Sequence, residues 1–169
     1  MSELVERLTQ EFADKDYAHA YMEAHASSRI ATQIKVLREQ RNLTQAQLAT
    51  LSGMMQERIS AIEDVDYDAW TIKTLRKLAR AFDTHVQISF VPFSEGILDV
   101  ANLNRKRLEV ESREADLMHF GKLGFRVDGD GNWSAAKPTH LSAIPSPKGP
   151  VNGAIGHEWQ TLGIVRSAR

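Results

Sequence analysis

Apolar residues recur at helical spacing through the first half of the chain and then switch to a two-residue alternation. Between residues 14 and 41 there is no proline or glycine, and Ile30, Ile34 and Leu37 fall on one side of a helix. Ser27 and Ser28 interrupt this stretch, and either hydroxyl can cap a new start by accepting an orphan backbone N–H. A helix broken near these serines is therefore expected. Asn42 suits the left-handed residue that ends a helix, and Thr44 suits the N-cap of the next, over 45–52. Gly53 supplies a turn. A further helix is predicted over 56–63, with Ile59 and Ile62 facing inward. Thr71 caps another, in which Ile72, Leu75, Leu78, Ala79 and Phe82 form the apolar stripe. Helices shorter than about 12 residues are marginal alone in water, so these must share one core.

After Asp83 the text HVQISFV, residues 85–91, alternates polar and apolar as a half-buried strand does, and Pro92 ends it. A lone strand cannot satisfy its own edges. Val86, Ile88 and Phe90 are thus candidate dimer-strand residues, pairing with the same strand of a second subunit; pairing with a distal segment of the same chain is the alternative. Residues 97–123 predict one more helix with a thin apolar face. Beyond Gly124 periodicity is lost, and glycine, proline and serine accumulate, as in IPSPKGP at 144–150. An extended or partner-binding tail is expected there, with Trp133 and Trp159 as its contact points.

Composition narrows this picture without changing it. The 169 residues are 42% hydrophobic and 25% charged, with a mean hydropathy of −0.36, which is the range of soluble globular chains. No apolar run is long enough to cross a membrane, and the first ten residues are acidic and polar, so neither a membrane span nor a signal peptide is expected, and the expected location is cytoplasmic. The sequence has no cysteine, which removes disulfides, thiolate catalysis and cysteine-ligated metals from it. The net charge of −1 is uneven. Residues 1–28 carry 2 basic and 6 acidic side chains, residues 29–80 carry 9 and 6, and residues 81–169 carry 10 of each. Only the middle segment is basic, a mild hint of a polyanionic partner.

Two short helices joined by a tight turn and framed by other helices form a helix-turn-helix. The order LTQxxLA at 43–49, then Gly53, Ile59-Ser60, Ile62-Glu63, Leu75 and Leu78-Ala79 resembles the Xre family, the group similar to the lambda and 434 phage repressors and Cro. The resemblance covers about residues 11–95. It implies a mainly α fold: a lambda-repressor-like five-helix domain with an N-terminal helical extension, a trailing β-strand and a loosely structured C-terminal tail. The expected organisation is an extension over 1–28, a DNA-binding domain over 29–83, the strand over 84–95, a helical segment over 96–123 and the tail over 124–169. It also implies a sequence-specific transcriptional regulator, a repressor that binds double-stranded DNA as a homodimer on an inverted repeat. The alternative is an antitoxin that neutralises a toxin through its N-terminal helix or tail and autoregulates its operon.

The major groove of B-DNA is about 12 Å wide and admits one helix, so the second helix of the pair enters it while the first bridges to phosphates. With Ile59 and Ile62 inward, Gln56, Glu57, Ser60 and Ala61 lie nearest the bases. Glutamine can bond adenine twice, glutamate can accept from cytosine, and alanine can touch a thymine methyl. By resemblance, Gln45 contacts the backbone and supports a reading side chain, beside Thr44. Arg38 and Glu63 occupy the positions of an internal ion pair in the phage repressors. Arg29, Lys35, Arg41, Arg58, Lys73 and Lys77 are the candidate phosphate contacts. Two features depart from the family pattern: Met55 stands where the recognition helix usually carries a Ser or Thr cap, and the run EDVDYD, residues 63–68, follows that helix. Asp64, Asp66 and Asp68 must turn away from DNA for strong binding.

No chemistry beyond binding is organised. DGDGN at 128–132 opens like a calcium loop, but Thr139 replaces the bidentate glutamate at the twelfth position, so it reads as a turn. The six histidines have no metal-ligand spacing, and no nucleophile elbow or phosphate loop is present. No enzyme activity, cofactor or metal is expected.

Overall fold

Asp14 starts the longest helix, its carboxylate accepting from Tyr17 N at 3.0 Å. In the computed structural model, which describes residues 3–69 and 71–135, eight helices and one small sheet follow in order. They are α1 (Glu3–Glu11), α2 (Lys15–Gln40), α3 (Gln45–Ser52), α4 (Gln56–Ile62), α5 (Ile72–Ala81), α6 (Phe93–Ala101), α7 (Arg105–Leu108), α8 (Arg113–Phe120), β1 (Phe125–Val127) and β2 (Trp133–Ala135). The fold is mainly helical. The described residues divide into two compact units, with the boundary between Lys122 and Leu123.

The break expected at Ser27 and Ser28 does not occur. At 26 residues, α2 spans about 39 Å and passes through both serines, with Thr32 Oγ1 donating to the Ser28 carbonyl at 2.8 Å. Because Asp14 already caps the start, neither serine is needed there, and the expected boundary at residue 28 falls inside one rigid element. Asn42 ends the helix in the left-handed conformation, φ 54°, and Leu43 N closes the end on the Arg38 carbonyl at 3.0 Å.

The main core gathers Ile34 and Leu37 of α2, Leu48 and Ala49 of α3, Ile59 and Ile62 of α4, Leu78 of α5 and Phe82. Leu48, Ile59 and Ile62 are wholly buried. Each such side chain contributes about 1.5–3 kcal/mol by leaving water, which is what holds helices of seven or eight residues in place. Ile72, expected in the same stripe, is 51% exposed. It sits at the first position of α5, before the helix has turned its apolar side to the core.

A second, smaller packing centre joins the flanks of this domain. The Phe12 ring meets Tyr21 at 5.4 Å and Phe93 at 5.9 Å between centroids, both edge-on. Leu8 of α1 and Ile97 of α6 are buried, and α1 packs on α6. The acidic extension is thus held by residues from beyond the helix-turn-helix.

Three expectations about the later chain are corrected. Residues 97–123 form not one helix but parts of α6, α7 and α8. Asn102 ends α6, the Asn104 side chain caps α7 by accepting from Arg107 N at 3.2 Å, and Ser112 caps α8. Residues 85–91 form no ladder: among the described residues no backbone hydrogen bond engages them, and Val86, Ile88 and Phe90 are 38%, 63% and 107% exposed. A strand exists only with a partner, and the described residues supply none there. Lastly, the expected tail opens with a β-hairpin, Phe125↔Ala135, Arg126↔Ser134 and Val127↔Trp133. DGDGN is its turn, with Gly131 at φ 84° and Asp128 Oδ1 accepting from Asp130 N and Asn132 N. Trp159 and the rest of 136–169 lie outside the described residues.

Candidate nucleic-acid interface

The turn between α3 and α4 is set by local chemistry at both ends. Thr44 Oγ1 accepts from Gln47 N at 3.2 Å while the Gln47 side chain accepts from Thr44 N at 2.7 Å, a reciprocal capping box. At the other end Gly53 adopts φ 63°, and Met54 N bonds the Ala49 carbonyl at 2.9 Å. An L-residue is disfavoured at that φ. The chain therefore reverses within three residues and delivers α4 beside α3.

Burial then sorts the side chains of α4. Ile59 and Ile62 are wholly buried, while Gln56, Glu57 and Ser60 are exposed and Ala61 is half-exposed. A helix with an apolar anchor and a polar outer face of amide, carboxylate and hydroxyl can present hydrogen-bonding groups to base edges. Met55 occupies the N-cap without a side-chain cap bond and is 73% exposed. It adds an apolar group to the leading end of the same surface.

Behind that face lies a network of three residues. Arg38 Nε donates to Glu63 Oε1, and Arg38 Nη2 donates to Glu63 Oε2 at 3.0 Å; a third bond, Arg38 Nη1 to the Leu43 carbonyl, is 2.9 Å. Gln45 Nε2 donates to Glu63 Oε2, also at 3.0 Å. The hydrogen bonds to Glu63 hold the Arg38 guanidinium above its ordinary pKa. One carboxylate thereby ties α2, the start of α3 and the end of α4 together, and the Gln45 amide is turned toward it.

The structure separates the basic candidates. Arg41 is used internally: Nε donates to the Phe82 carbonyl at 2.8 Å, Nη2 to the Val110 carbonyl at 3.1 Å, and the guanidinium lies 5.6 Å from the Phe82 ring centroid. Burial lowers its pKa. Arg29 Nε stands 2.8 Å from Asp99 Oδ2, which also meets His25 Nε2 at 3.2 Å. Arg58 lies over the Tyr67 ring at 5.0 Å and donates to the Ala69 carbonyl at 3.3 Å. Lys35, Lys73 and Lys77 are exposed and make no ion pair among the described residues. Arg76 and Arg80 share that state. Sequence reasoning passed over both, although their i, i+3 and i, i+4 spacing with Lys73 and Lys77 places all four on α5.

A separate groove of about 930 Å³ runs between α2, α5, α6 and the segment 84–91. Val86 and Ile88 line it, together with Ile30, Leu75 and Leu98. Among the described residues no group of histidine and carboxylate side chains is placed to hold a metal, and no helix is long and apolar enough to cross a membrane.

Residues 8–90 match the model of a family described as a helix-turn-helix domain. No curated protein and no solved structure matches the chain. The match spans α2 to α5 together with the end of α1 and the segment 84–90. The chain carries a helix-turn-helix domain, and that supports a DNA-binding regulator.

Proposed function

We propose that this chain is a cytoplasmic transcriptional repressor of the Xre type that reads an inverted-repeat operator as a homodimer. The observation that carries the reading is the two-sided character of α4, with Ile59 and Ile62 buried and Gln56, Glu57 and Ser60 exposed at the outer side of a capped, glycine-turned helix pair. Seated in the major groove, Gln56 and Glu57 face base edges, with Ser60, Ala61 and Met55 flanking them. Thr44 and the start of α3 approach the phosphate backbone, and Gln45 acts through Glu63. Lys73, with Lys35, Lys77, Arg76 and Arg80, supplies charge without sequence information. Arg41 in this reading supports the fold from behind.

Homodimerisation is assigned to residues 85–91. Their backbone groups, which no described residue engages, and exposed Val86, Ile88 and Phe90 are completed by the same segment of a second copy, antiparallel about Ile88, so that Val86 of one faces Phe90 of the other. Burying Phe90 removes about 200 Å², a sizeable part of the roughly 800 Å² per partner of a stable interface. Two copies so joined place their α4 helices for half-sites about 34 Å apart. The groove beside this segment favours a second reading, an antitoxin whose toxin occupies it. A small basic protein that co-purifies in fixed stoichiometry and blocks strand-mediated dimerisation distinguishes that reading. Selection of duplexes from random DNA by the purified protein tests the repressor: an enriched inverted repeat is expected, and no enrichment at modest salt contradicts it.

A further inference from the structure

The acidic run after α4 and the arginine within it are linked in a way that neither charge count nor motif reveals. Asp64, Asp66 and Asp68 are exposed, and among the described residues none has a cationic partner. Asp66 and Asp68 border a shallow cleft against α2, where they meet Ala20, Ala24 and a third carboxylate, Glu23. Like charges at such a cleft repel, so the loop needs another hold. Arg58 supplies it. Its guanidinium lies 5.0 Å from the Tyr67 ring centroid and donates to the Ala69 carbonyl at 3.3 Å. That same carbonyl accepts from Tyr67 Oη at 2.8 Å, and Tyr67 packs on the main core. The loop also closes on itself, Asp64 Oδ1 accepting from Asp66 N at 3.0 Å and the Asp64 carbonyl from Tyr67 N at 3.2 Å. Every contact described for the guanidinium is to the loop's aromatic and carbonyl groups, none to its carboxylates.

We infer that Arg58 is a positioning residue that holds the loop 64–69 so that Asp66 and Asp68 face α2, Asp64 closes on the loop's own backbone, and all three stay off the phosphates, instead of Arg58 contacting phosphate itself. The inference rests on α4 being the DNA-facing helix. It explains how the basic middle segment tolerates three aspartates after α4: Asp66 and Asp68 are turned toward α2, the Asp64 carboxylate is engaged by the Asp66 backbone N–H, and a short-range repulsion from DNA is avoided.

The test is a cycle of variants in the full chain: Arg58→Ala, the triple change Asp64→Asn, Asp66→Asn, Asp68→Asn, and the two combined. Each is titrated against a short duplex of mixed sequence over a range of salt, and amide exchange is followed at 64–69 without DNA. Arg58→Ala is expected to weaken binding severalfold in the native loop and to have no effect once the aspartates are neutralised. Exchange at Asp66 and Tyr67, whose N–H groups bond within the loop, is expected to quicken. An equal loss in both backgrounds, with a salt slope smaller by about one, overturns the inference by making Arg58 a phosphate contact. Unchanged exchange overturns it by removing the clamp. If no variant binds any duplex, the DNA-binding reading falls, while exchange still decides whether the clamp exists.

Discussion

Glu63 accepts from both Arg38 and Gln45, so the residue that ends α4 is bonded to α2 and to the first residue of α3. The Glu63 side chain is only 4% exposed and that of Arg38 14%. Removing one member of such a pair leaves a poorly solvated charge, which costs about 3–5 kcal/mol. Glu63→Ala is expected to lower stability by about 3 kcal/mol in urea unfolding, and Arg38→Met in the same chain to recover much of it. Near-additive losses in the double variant contradict the pair as the source.

Gly53 has open space where a Cβ would stand, yet its φ is 63°. Gly53→Ala is therefore expected to cost about 1 kcal/mol through backbone conformation alone, with Gly53→Asn costing less. Thermal unfolding of the three proteins checks the order.

Ile88 is exposed, and among the described residues its neighbours' backbone groups have no backbone partner. Ile88→Lys is expected to leave helical circular dichroism and single-chain stability within about 0.5 kcal/mol while converting a dimer to a 19.0 kDa monomer. Sedimentation velocity reads the mass. A dimer that survives this change moves the interface elsewhere.

The Asp128 carboxyl is held below the usual carboxylate range by the Asn132 backbone N–H first, then by the Asn132 side chain. A depressed folded pKa stabilises the turn above the unfolded value, about 3.9, and that support is lost as pH falls through the depressed value. Amide shifts of Asn132 followed from neutral to acidic pH should report one such titration, and Asp128→Asn should abolish it.

The parts of this fold that short-range rules govern were legible in the sequence. Thr44, Thr71, Asn42 and Gly53 mark helix ends by hydrogen bonds and dihedral angles that need only a few neighbouring residues, and Ile59 and Ile62 declare a buried side by spacing. What depended on distant partners was not legible. Ser27 and Ser28 are neutral in a helix whose cap lies upstream, so they break nothing. Residues 85–91 carry a strand pattern, but a ladder requires a second edge. The three-residue strands at Phe125 and Trp133 are too short to show a period. Arginine was the least readable residue: Arg29, Arg41 and Arg58 look alike in sequence, and only tertiary neighbours direct them to Asp99, to the Phe82 carbonyl and to the Tyr67 ring.

The proposed regulator reads bases with the outer side of α4. Parallel selections from random duplexes with the native chain, Gln56→Ala and Lys73→Ala test it most directly. The expected outcome is an inverted repeat for the native chain, the same repeat with relaxed preference at one position per half-site and an affinity loss of about 1–3 kcal/mol for Gln56→Ala, and an unchanged repeat bound uniformly more weakly for Lys73→Ala. An identical preference from the native chain and Gln56→Ala, or loss of preference with Lys73→Ala alone, would contradict it.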